Sequence, residues 1–109
     1  MRRSGFRPAA HEDSDPARGR SDLARAADFY DAQRDGAGDY FIACLASDIE
    51  ALKIHAGVHE RQHGLLRALS KRFPFGIFYE LTGTTIEIFA VLDCRQDPEA
   101  IESRLRGYE

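Results

Sequence analysis

The sequence predicts an α+β domain: an N-terminal helical hairpin packed on a small antiparallel β-sheet, followed by a short C-terminal helix. Two observations support this class. Apolar residues recur at helical spacing in the first half of the chain, whereas two β-rich apolar segments flank a short polar turn in the second half. Helices that precede the strands, rather than alternate with them, are typical of α+β folds.

The composition indicates one ordinary globular domain. The chain has 109 residues, of which 43% are hydrophobic and 30% are charged. No apolar segment approaches the ~20 residues that a membrane helix needs. The basic start is followed by Pro, His and acidic residues instead of an apolar signal core, so we expect a cytoplasmic protein that is not exported and does not contact a membrane.

The N-terminal segment differs in composition from the rest of the chain. Residues 1–20 are rich in Arg, Asp, Pro, Gly and Ala, and Phe6 is their only large apolar residue. Such a segment buries too little apolar surface to offset the entropy lost on ordering. We therefore expect a loosely structured segment over 1–20 and the folded domain over 21–109.

The first predicted helix begins at Ser21, a favourable N-cap, and has Asp22 in its first turn. Glycine supplies the left-handed backbone of a helix C-cap, so Gly36-Ala37-Gly38 is expected to end this helix. Its apolar face follows the i, i+3, i+4, i+7 spacing and consists of Leu23, Ala26, Ala27 and Tyr30.

A second helix is predicted over 39–56. Its apolar face consists of Phe41, Leu45, Ile49 and Leu52. Two antiparallel helices joined by a Gly-rich turn form a hairpin whose apolar faces need a partner surface. Only the downstream strands can supply that surface.

Three strands are predicted after the hairpin. The first covers 65–73 and carries Arg67 and Lys71 on its open side. The second and third, 75–81 and 85–92, flank the turn Thr82-Gly83-Thr84. Pro98 then suits the first position of a short closing helix, whose apolar residues are Ile101 and Leu105.

The two cysteines, Cys44 and Cys94, lie far apart in the sequence and lack the spacing of metal ligands. This favours two reduced cysteines, as is usual in a cytoplasmic protein, with a disulfide as the alternative. No cofactor is predicted. Gly36-Ala37-Gly38-Asp39 lies between two helices and lacks the preceding strand that a nucleotide-binding loop requires.

The segment His59-Glu60-Arg61-Gln62-His63 matches the H-E-x-x-H pattern. On a helix, this spacing places two imidazoles on one face for zinc and offers the glutamate as general base; His55 would extend the same face. However, Gly57 and Gly64 bracket the motif and disfavour a helix. We expect a solvated loop without a metal, with a catalytic zinc site or an adventitious metal-binding face as alternatives.

Basic residues concentrate before the predicted hairpin. The formal net charge of −3 argues against nonspecific binding to nucleic acid, but Arg67, Lys71 and Arg72 lie in a locally basic stretch. Together with Arg95 they are the candidate phosphate- or target-binding residues, because guanidinium groups hold phosphate bidentately. Tyr79 is a candidate proton donor. The alternative, which the spacing alone favours, is that Tyr79 packs on the helices and the arginines are surface charge.

Several segments, taken in order, resemble toxins of the RelE/ParE family from bacterial type II toxin–antitoxin systems. The resemblance covers about residues 23–98. It is carried by Ala27-Asp28-Phe29-Tyr30, the Gly-x-Gly-Asp-x-Phe junction over 36–41, Lys71-Arg72-Phe73-Pro74-Phe75, and residues 92–98. The family fold is a helical hairpin packed on a small antiparallel sheet, which agrees with the prediction above.

The resemblance implies a toxin that a cognate antitoxin holds inactive, with growth inhibition and plasmid stabilisation as the associated processes. Some members cleave messenger RNA on the ribosome; the ParE-like branch inhibits DNA gyrase without chemistry of its own. Two segments look nearer to the ParE-like branch: the start of the second predicted strand, Phe73-Pro74-aromatic, and the closing motif, Arg95-x-Asp97-Pro98. We therefore expect a non-catalytic inhibitor. The alternatives are a ribosome-dependent mRNA endoribonuclease and a non-toxic remnant that only binds antitoxin.

Matching positions carry over as Arg67 and Arg72 for the basic strand face, Tyr79 for the strand tyrosine and Arg95 for the closing motif. These four are the candidate catalytic residues if the protein is an enzyme. Antitoxin binding is expected by helix-in-groove or strand addition. A homodimer and a hetero-oligomer with the antitoxin both remain open.

Three features depart from the family pattern. Residues 1–20 lack the usual first strand, the protein is acidic, and the usual His-Gly-Arg-Arg is Asp93-Cys94-Arg95-Gln96. An aspartate beside a phosphate site repels the ligand. These departures disfavour nuclease action.

Overall fold

The computed structural model describes residues 17–106 and has an α+β architecture. Two helices come first, then four strands and a short C-terminal helix. The elements are α1 (Ala17–Gln33), α2 (Ala37–His55), β1 (Arg61–Gln62), β2 (Leu65–Leu69), β3 (Phe75–Thr82), β4 (Thr85–Asp93) and α3 (Pro98–Leu105). None of the helices within 17–106 is long and apolar enough to cross a bilayer.

Helix α1 begins four residues earlier than predicted, so Ser21 lies inside the helix and is not its N-cap. Residues 17–20, predicted to be loosely structured, are helical; residues 1–16 lie outside the described part of the chain. The physical reason is a tertiary contact. Asp22 is only 4% exposed, and its Oδ2 accepts a hydrogen bond from the Val91 backbone N–H at 3.0 Å, which fixes this end of α1 on β4.

The turn between α1 and α2 follows the prediction. Gly36 adopts a left-handed conformation with φ of 86°, and α2 starts at the next residue. The Asp31 carboxylate accepts a hydrogen bond from the Gly38 N–H at 2.7 Å. A Cβ at Gly38 would lie 2.5 Å from the Ala27 carbonyl oxygen, so only glycine lets the two helices approach this closely.

The sheet is a fully antiparallel meander with strand order β1-β2-β3-β4. The predicted hairpin is confirmed, with Gly83 at φ of 63° in its tight turn. Strand β2 ends at Leu69 instead of continuing to residue 73, because Pro74 has no N–H to donate and restricts Phe73. Lys71 is therefore in a turn and not on the open side of a strand.

Both faces of the sheet are covered. The face toward α1 and α2 packs on Phe41, Leu45 and Leu52 and consists of Leu66, Ala68, Phe75, Ile77, Tyr79, Ile86, Ile88 and Val91. The opposite face packs on Ile101 and Leu105 of α3 and includes Leu65, Phe78, Phe89, Ala90 and Leu92.

Helix α3 forms where the sequence predicts it. Pro98 occupies the first turn, and the Asp97 side chain accepts a hydrogen bond from the Glu99 N–H at 3.1 Å. Leu105 is fully buried against the sheet. The sheet face opposite the helical hairpin is therefore partly covered by α3.

Candidate functional site

Tyr79 lies on the sheet face that packs against the helical hairpin and is fully buried. Its hydroxyl accepts a hydrogen bond from the Gly57 N–H at 2.9 Å and lies 2.5 Å from Nδ1 of His59. Burial raises the pKa of the phenol above its ordinary value, and the Gly57 hydrogen bond offsets this only in part. Tyr79 is thus a core aromatic residue, which agrees with the alternative that it packs on the helices. Its hydroxyl anchors the loop after α2.

Arg67 lies on the opposite face of the sheet. It pairs in register with Phe78, whereas its neighbour Leu66 pairs with Tyr79, so the side chains of Arg67 and Tyr79 project from opposite faces. A proton donor at Tyr79 and a phosphate ligand at Arg67 therefore cannot meet at one site.

The Arg67 side chain crosses a glycine. A Cβ at Gly76 would lie 3.2 Å from both Arg67 Cγ and Cys94 Sγ. The absence of a side chain at Gly76 therefore leaves space for both groups. Arg67 Nε is buried without a hydrogen-bond partner. Burial raises the pKa of the Cys94 thiol, and the positive charge of Arg67 offsets the rise only in part. Cys94 is consequently a poor nucleophile.

Lys71 and Arg72 lie together in the turn after β2, beside α2. They line a cavity of about 350 Å³ with Ala43, Cys44, Ser47 and Asp48. The Asp48 carboxylate accepts hydrogen bonds from the Ser70 hydroxyl at 2.6 Å and from the Lys71 N–H at 3.4 Å. These two cations belong to a different surface from Arg67.

Arg95 is paired with Asp93, its near neighbour in the sequence. Its guanidinium donates to both carboxylate oxygens of Asp93, with Nε at 3.1 Å and Nη2 at 2.8 Å. Arg95 holds the pKa of the Asp93 carboxyl below its ordinary value. The Asp93 carboxylate thus compensates the charge of the neighbouring arginine.

The candidate residues consequently fall into three groups: Arg67 on the α3 side, Lys71 with Arg72 beside α2, and Arg95 at the end of β4. Another cation of the basic stretch is also compensated, since Arg61 Nη1 lies 2.8 Å from Glu80 Oε1. The candidate cations therefore do not form one cluster in this fold. Which of these residues contact a target remains a prediction.

The H-E-x-x-H segment is not helical. His59 lies in the loop after α2, Arg61 begins β1, and His63 has a φ of 55° in the β1–β2 turn. The two imidazoles therefore do not share a helical face. Across residues 17–106, no group of three or more His, Cys, Asp or Glu side chains is arranged to hold a metal.

The cavity at Lys71 continues along α2. A second cavity of about 260 Å³ shares Asp48 and Lys71 with the first and extends to His55 and His59. We call the combined depression the α2 groove. Its far half is mostly apolar and is lined by Ala51, Leu52, Val58, Ala68 and Leu69. Sequence patterning did not reveal this groove, because its lining comes from α2 and from residues that are distant from α2 in the sequence.

A second structural feature that the sequence did not predict links α1, β4 and α3. Asp22 on α1 lies 2.6 Å from Arg104 Nη2 on α3 and 2.7 Å from Arg25 Nη2, in addition to its bond to β4. Asp22 was expected only to favour the N-terminus of a helix. A single acid near a helix start gives no signal of a partner eighty-two residues away.

The comparisons with known proteins identify no relative. Neither a protein-family model, nor a curated protein, nor a solved structure matches the chain. Function has to be inferred from the fold and from the side chains described above.

Proposed function

We propose that the chain is a RelE/ParE-type toxin of the ParE-like branch. It inhibits an essential macromolecular process, with DNA gyrase as the favoured target, and a cognate antitoxin neutralises it. The order of elements supports this proposal: a helical hairpin, then an antiparallel meander, then a short helix. Of these elements, the resemblance over residues 23–98 implies the helical hairpin and the antiparallel sheet.

The separation of Arg67 and Tyr79 on opposite sheet faces is the observation that favours an inhibitor over an enzyme. General acid–base chemistry on a phosphodiester requires the proton donor and the phosphate ligand to reach the same group. The Tyr79 hydroxyl is already bonded to Gly57 and His59, and Arg95 is already bonded to Asp93. Both groups are therefore engaged by other residues of the chain.

An inhibitor that acts by binding needs an interface, and the hairpin exposes aromatic residues that suit one. Phe29 on α1 and Tyr40 on α2 are 56% and 52% exposed. Tyr40 packs near Phe73 of the strand entry, with ring centroids 5.9 Å apart. Aromatic residues are enriched at protein–protein interfaces relative to the rest of the surface. This cluster is the candidate contact with a protein target.

A ribosome-dependent endoribonuclease is the second candidate, and the unpaired Arg67 Nε favours it. A buried donor without a partner is a group that calls for an explanation, and an arginine that binds a phosphate through its outer nitrogens is one such explanation. Under this alternative Arg67 acts without Tyr79, as an electrostatic ligand only.

The test is inducible expression in bacteria, with and without the product of the neighbouring reading frame. The proposal predicts growth arrest, its relief by co-expression, inhibition of gyrase supercoiling by purified protein, and no new transcript ends by primer extension. Unhindered growth at high expression counts against a toxin of either kind. Growth arrest accompanied by new 5′ ends would reject the gyrase inhibitor and favour the endoribonuclease.

A further inference from the structure

We propose that the cavity between α1, β4 and α3 is a binding site for a small organic carboxylate. Its volume of about 350 Å³ lies at the lower end of the range for small-molecule sites. None of the exposed aromatic residues assigned above to a protein target lines it, so the site is independent of the proposed function. We call it the α1–α3 cavity, and its lining includes Asp22, Arg25, Leu92, Asp93, Ala100 and Arg104.

The charges around the α1–α3 cavity do not balance. Asp22 is shared by two guanidinium groups: its Oδ1 accepts a hydrogen bond from Arg25 Nη2 at 2.7 Å, and its Oδ2 accepts one from Arg104 Nη2 at 2.6 Å. The other acid of the lining, Asp93, is paired with Arg95 at 2.8 Å. Three arginines therefore face two aspartates, which leaves one positive charge in excess among these residues.

The two arginines of the lining differ in how far a ligand can reach them. The side chain of Arg25 is 69% exposed, so the donors that it does not give to Asp22 face the solvent at the mouth of the cavity. The side chain of Arg104 is only 16% exposed, and its Nη1 is enclosed without a hydrogen-bond partner among residues 17–106. Arg25 is thus the direct ligand, and Arg104 attracts an anion from the wall of the cavity through its charge.

The excess of one charge selects among anions. A phosphate monoester carries a charge of about −1.5 to −2 at pH 7, and its second charge would be repelled by Asp22 and Asp93. A carboxylate carries one charge, and its planar shape matches the fork of a guanidinium group. The uncharged part of the lining, Leu92 and Ala100, leaves space for a short hydrocarbon body beside the charged head.

The loop between β4 and α3 adds a neutral hydrogen-bonding group. Gln96 is exposed and lines the cavity, and its backbone N–H donates to the Asp93 carbonyl at 3.3 Å. A carboxamide donates through its NH₂ group without adding charge. Gln96 therefore suits the second oxygen of a carboxylate whose first oxygen is held by Arg25.

The test compares three small molecules that share a phenyl ring and differ in the head group: benzoate, the neutral benzamide and the more highly charged phenyl phosphate. Binding is followed by amide chemical shifts on the full chain. We expect benzoate to bind with a Kd of about 1 mM or below. It should bind at least about fivefold more tightly than either of the other two, with shifts at Leu92, Gln96, Ala100 and Arg104.

One variant fills the cavity without changing its charges. Ala100 is exposed on α3, so Ala100→Phe places a large side chain in the α1–α3 cavity without overpacking the core. This variant should lose benzoate binding. The matched control is Ala46→Phe, the same exchange at an exposed position of α2 outside the cavity, which should bind within about twofold of the parent protein. Thermal unfolding confirms that both variants are folded.

A second variant removes the direct ligand. Arg25→Gln should weaken benzoate binding by about tenfold, and it changes stability little because an exposed arginine contributes little through its ion pair. Arg34→Gln, an exposed arginine on the same side of the sheet but outside the cavity, is the control and should leave the Kd within about twofold.

The inference is overturned if benzoate does not bind at about 10 mM, if the shifts lie elsewhere, or if benzamide binds as well as benzoate. Tighter binding of phenyl phosphate would overturn it in favour of a phosphate ligand, and an Ala100→Phe variant that still binds would place the ligand outside the cavity. The growth experiment is separate. Cells that grow unhindered while the protein binds benzoate reject the toxin and leave the cavity, whereas growth arrest without benzoate binding rejects the cavity alone.

Discussion

The Tyr79 hydroxyl on β3 lies 2.5 Å from Nδ1 of His59 and also accepts the Gly57 N–H at 2.9 Å. Since the backbone N–H donates to the phenolic oxygen, the phenolic proton is available to a neutral imidazole. The loop between α2 and β1 is therefore held to the sheet through one buried hydroxyl.

The first prediction concerns pH. Burial, and to a lesser degree the neighbouring His55, lower the pKa of His59 below its ordinary value of 6.5. The unfolded chain therefore binds a proton more readily, and the free energy of unfolding decreases as the pH falls below 6.5 towards the folded pKa. Urea unfolding at several pH values measures this, and NMR of the imidazoles follows each titration.

Two variants isolate that effect. His59→Gln should flatten the pH dependence below the ordinary histidine pKa, whereas His55→Gln should raise the pKa of His59 because a like charge is removed. The other charged groups around this cavity are Asp48 and Lys71. A His59 that titrates above its ordinary pKa would contradict the prediction.

The second prediction is that Tyr79→Phe lowers stability but preserves growth arrest. The change leaves the Gly57 N–H without its partner, at a cost of about 1–3 kcal/mol. Urea unfolding gives the loss of stability. If the variant remains folded at the growth temperature but no longer arrests growth, Tyr79 would have a functional role in addition to its place in the core.

The third prediction concerns Asp22, which holds α1 to β4 and α3. Asp22→Ala removes the acceptor for Val91 N–H and leaves Arg104, which is only 16% exposed, without its carboxylate. Breaking a buried ion pair from one side costs about 3–5 kcal/mol. The control Asp28→Ala, at an exposed position of the same helix, should change stability by less than about 0.5 kcal/mol. Similar midpoints of denaturation for the two variants would refute the role of Asp22.

The fourth prediction is that Gly38→Ala is destabilising although alanine is the better helix former. The added methyl would lie 2.5 Å from the Ala27 carbonyl oxygen and from the Asp31 carboxylate, so α1 and α2 have to separate. Overpacking of this kind costs about 1–3 kcal/mol. An increase in melting temperature would show that the helices do not pack this closely.

The fifth prediction compares two arginines in the growth assay. Arg67→Ala should relieve arrest more than Arg95→Ala, because the charge of Arg95 is compensated by Asp93 whereas Arg67 Nε has no partner. Arg34→Ala, an exposed change near the helical turn, serves as the control. Arrest that is insensitive to both changes removes both residues from the site.

Local patterns in the sequence were sufficient for much of the fold. The Gly-rich turn before α2, the hairpin at Gly83 and the start of α3 at Pro98 depend on neighbouring residues, and each lies where it was predicted. The start of α1 was missed because a tertiary contact at Asp22 stabilises it. Strand β1 was missed because it has only two residues.

The candidate site was less predictable because it depends on strand register. Alternation along β2 places Arg67 and Leu66 on different faces, but only the pairing of Arg67 with Phe78 determines which face Tyr79 shares. No local signal specifies that pairing. The ion pair between Arg95 and Asp93 could have been predicted from the sequence, since the two residues are separated by a single cysteine.

The position of Asp22 also bears on how the molecule behaves at high concentration. Strand β4 is an outer strand of the sheet, and an outer strand presents backbone donors and acceptors to which a neighbouring molecule can add. The Asp22 carboxylate occupies the donor at Val91 from within the same chain. The Asp22 side chain thus takes up one of the backbone donors that a neighbouring molecule would need in order to pair with this edge.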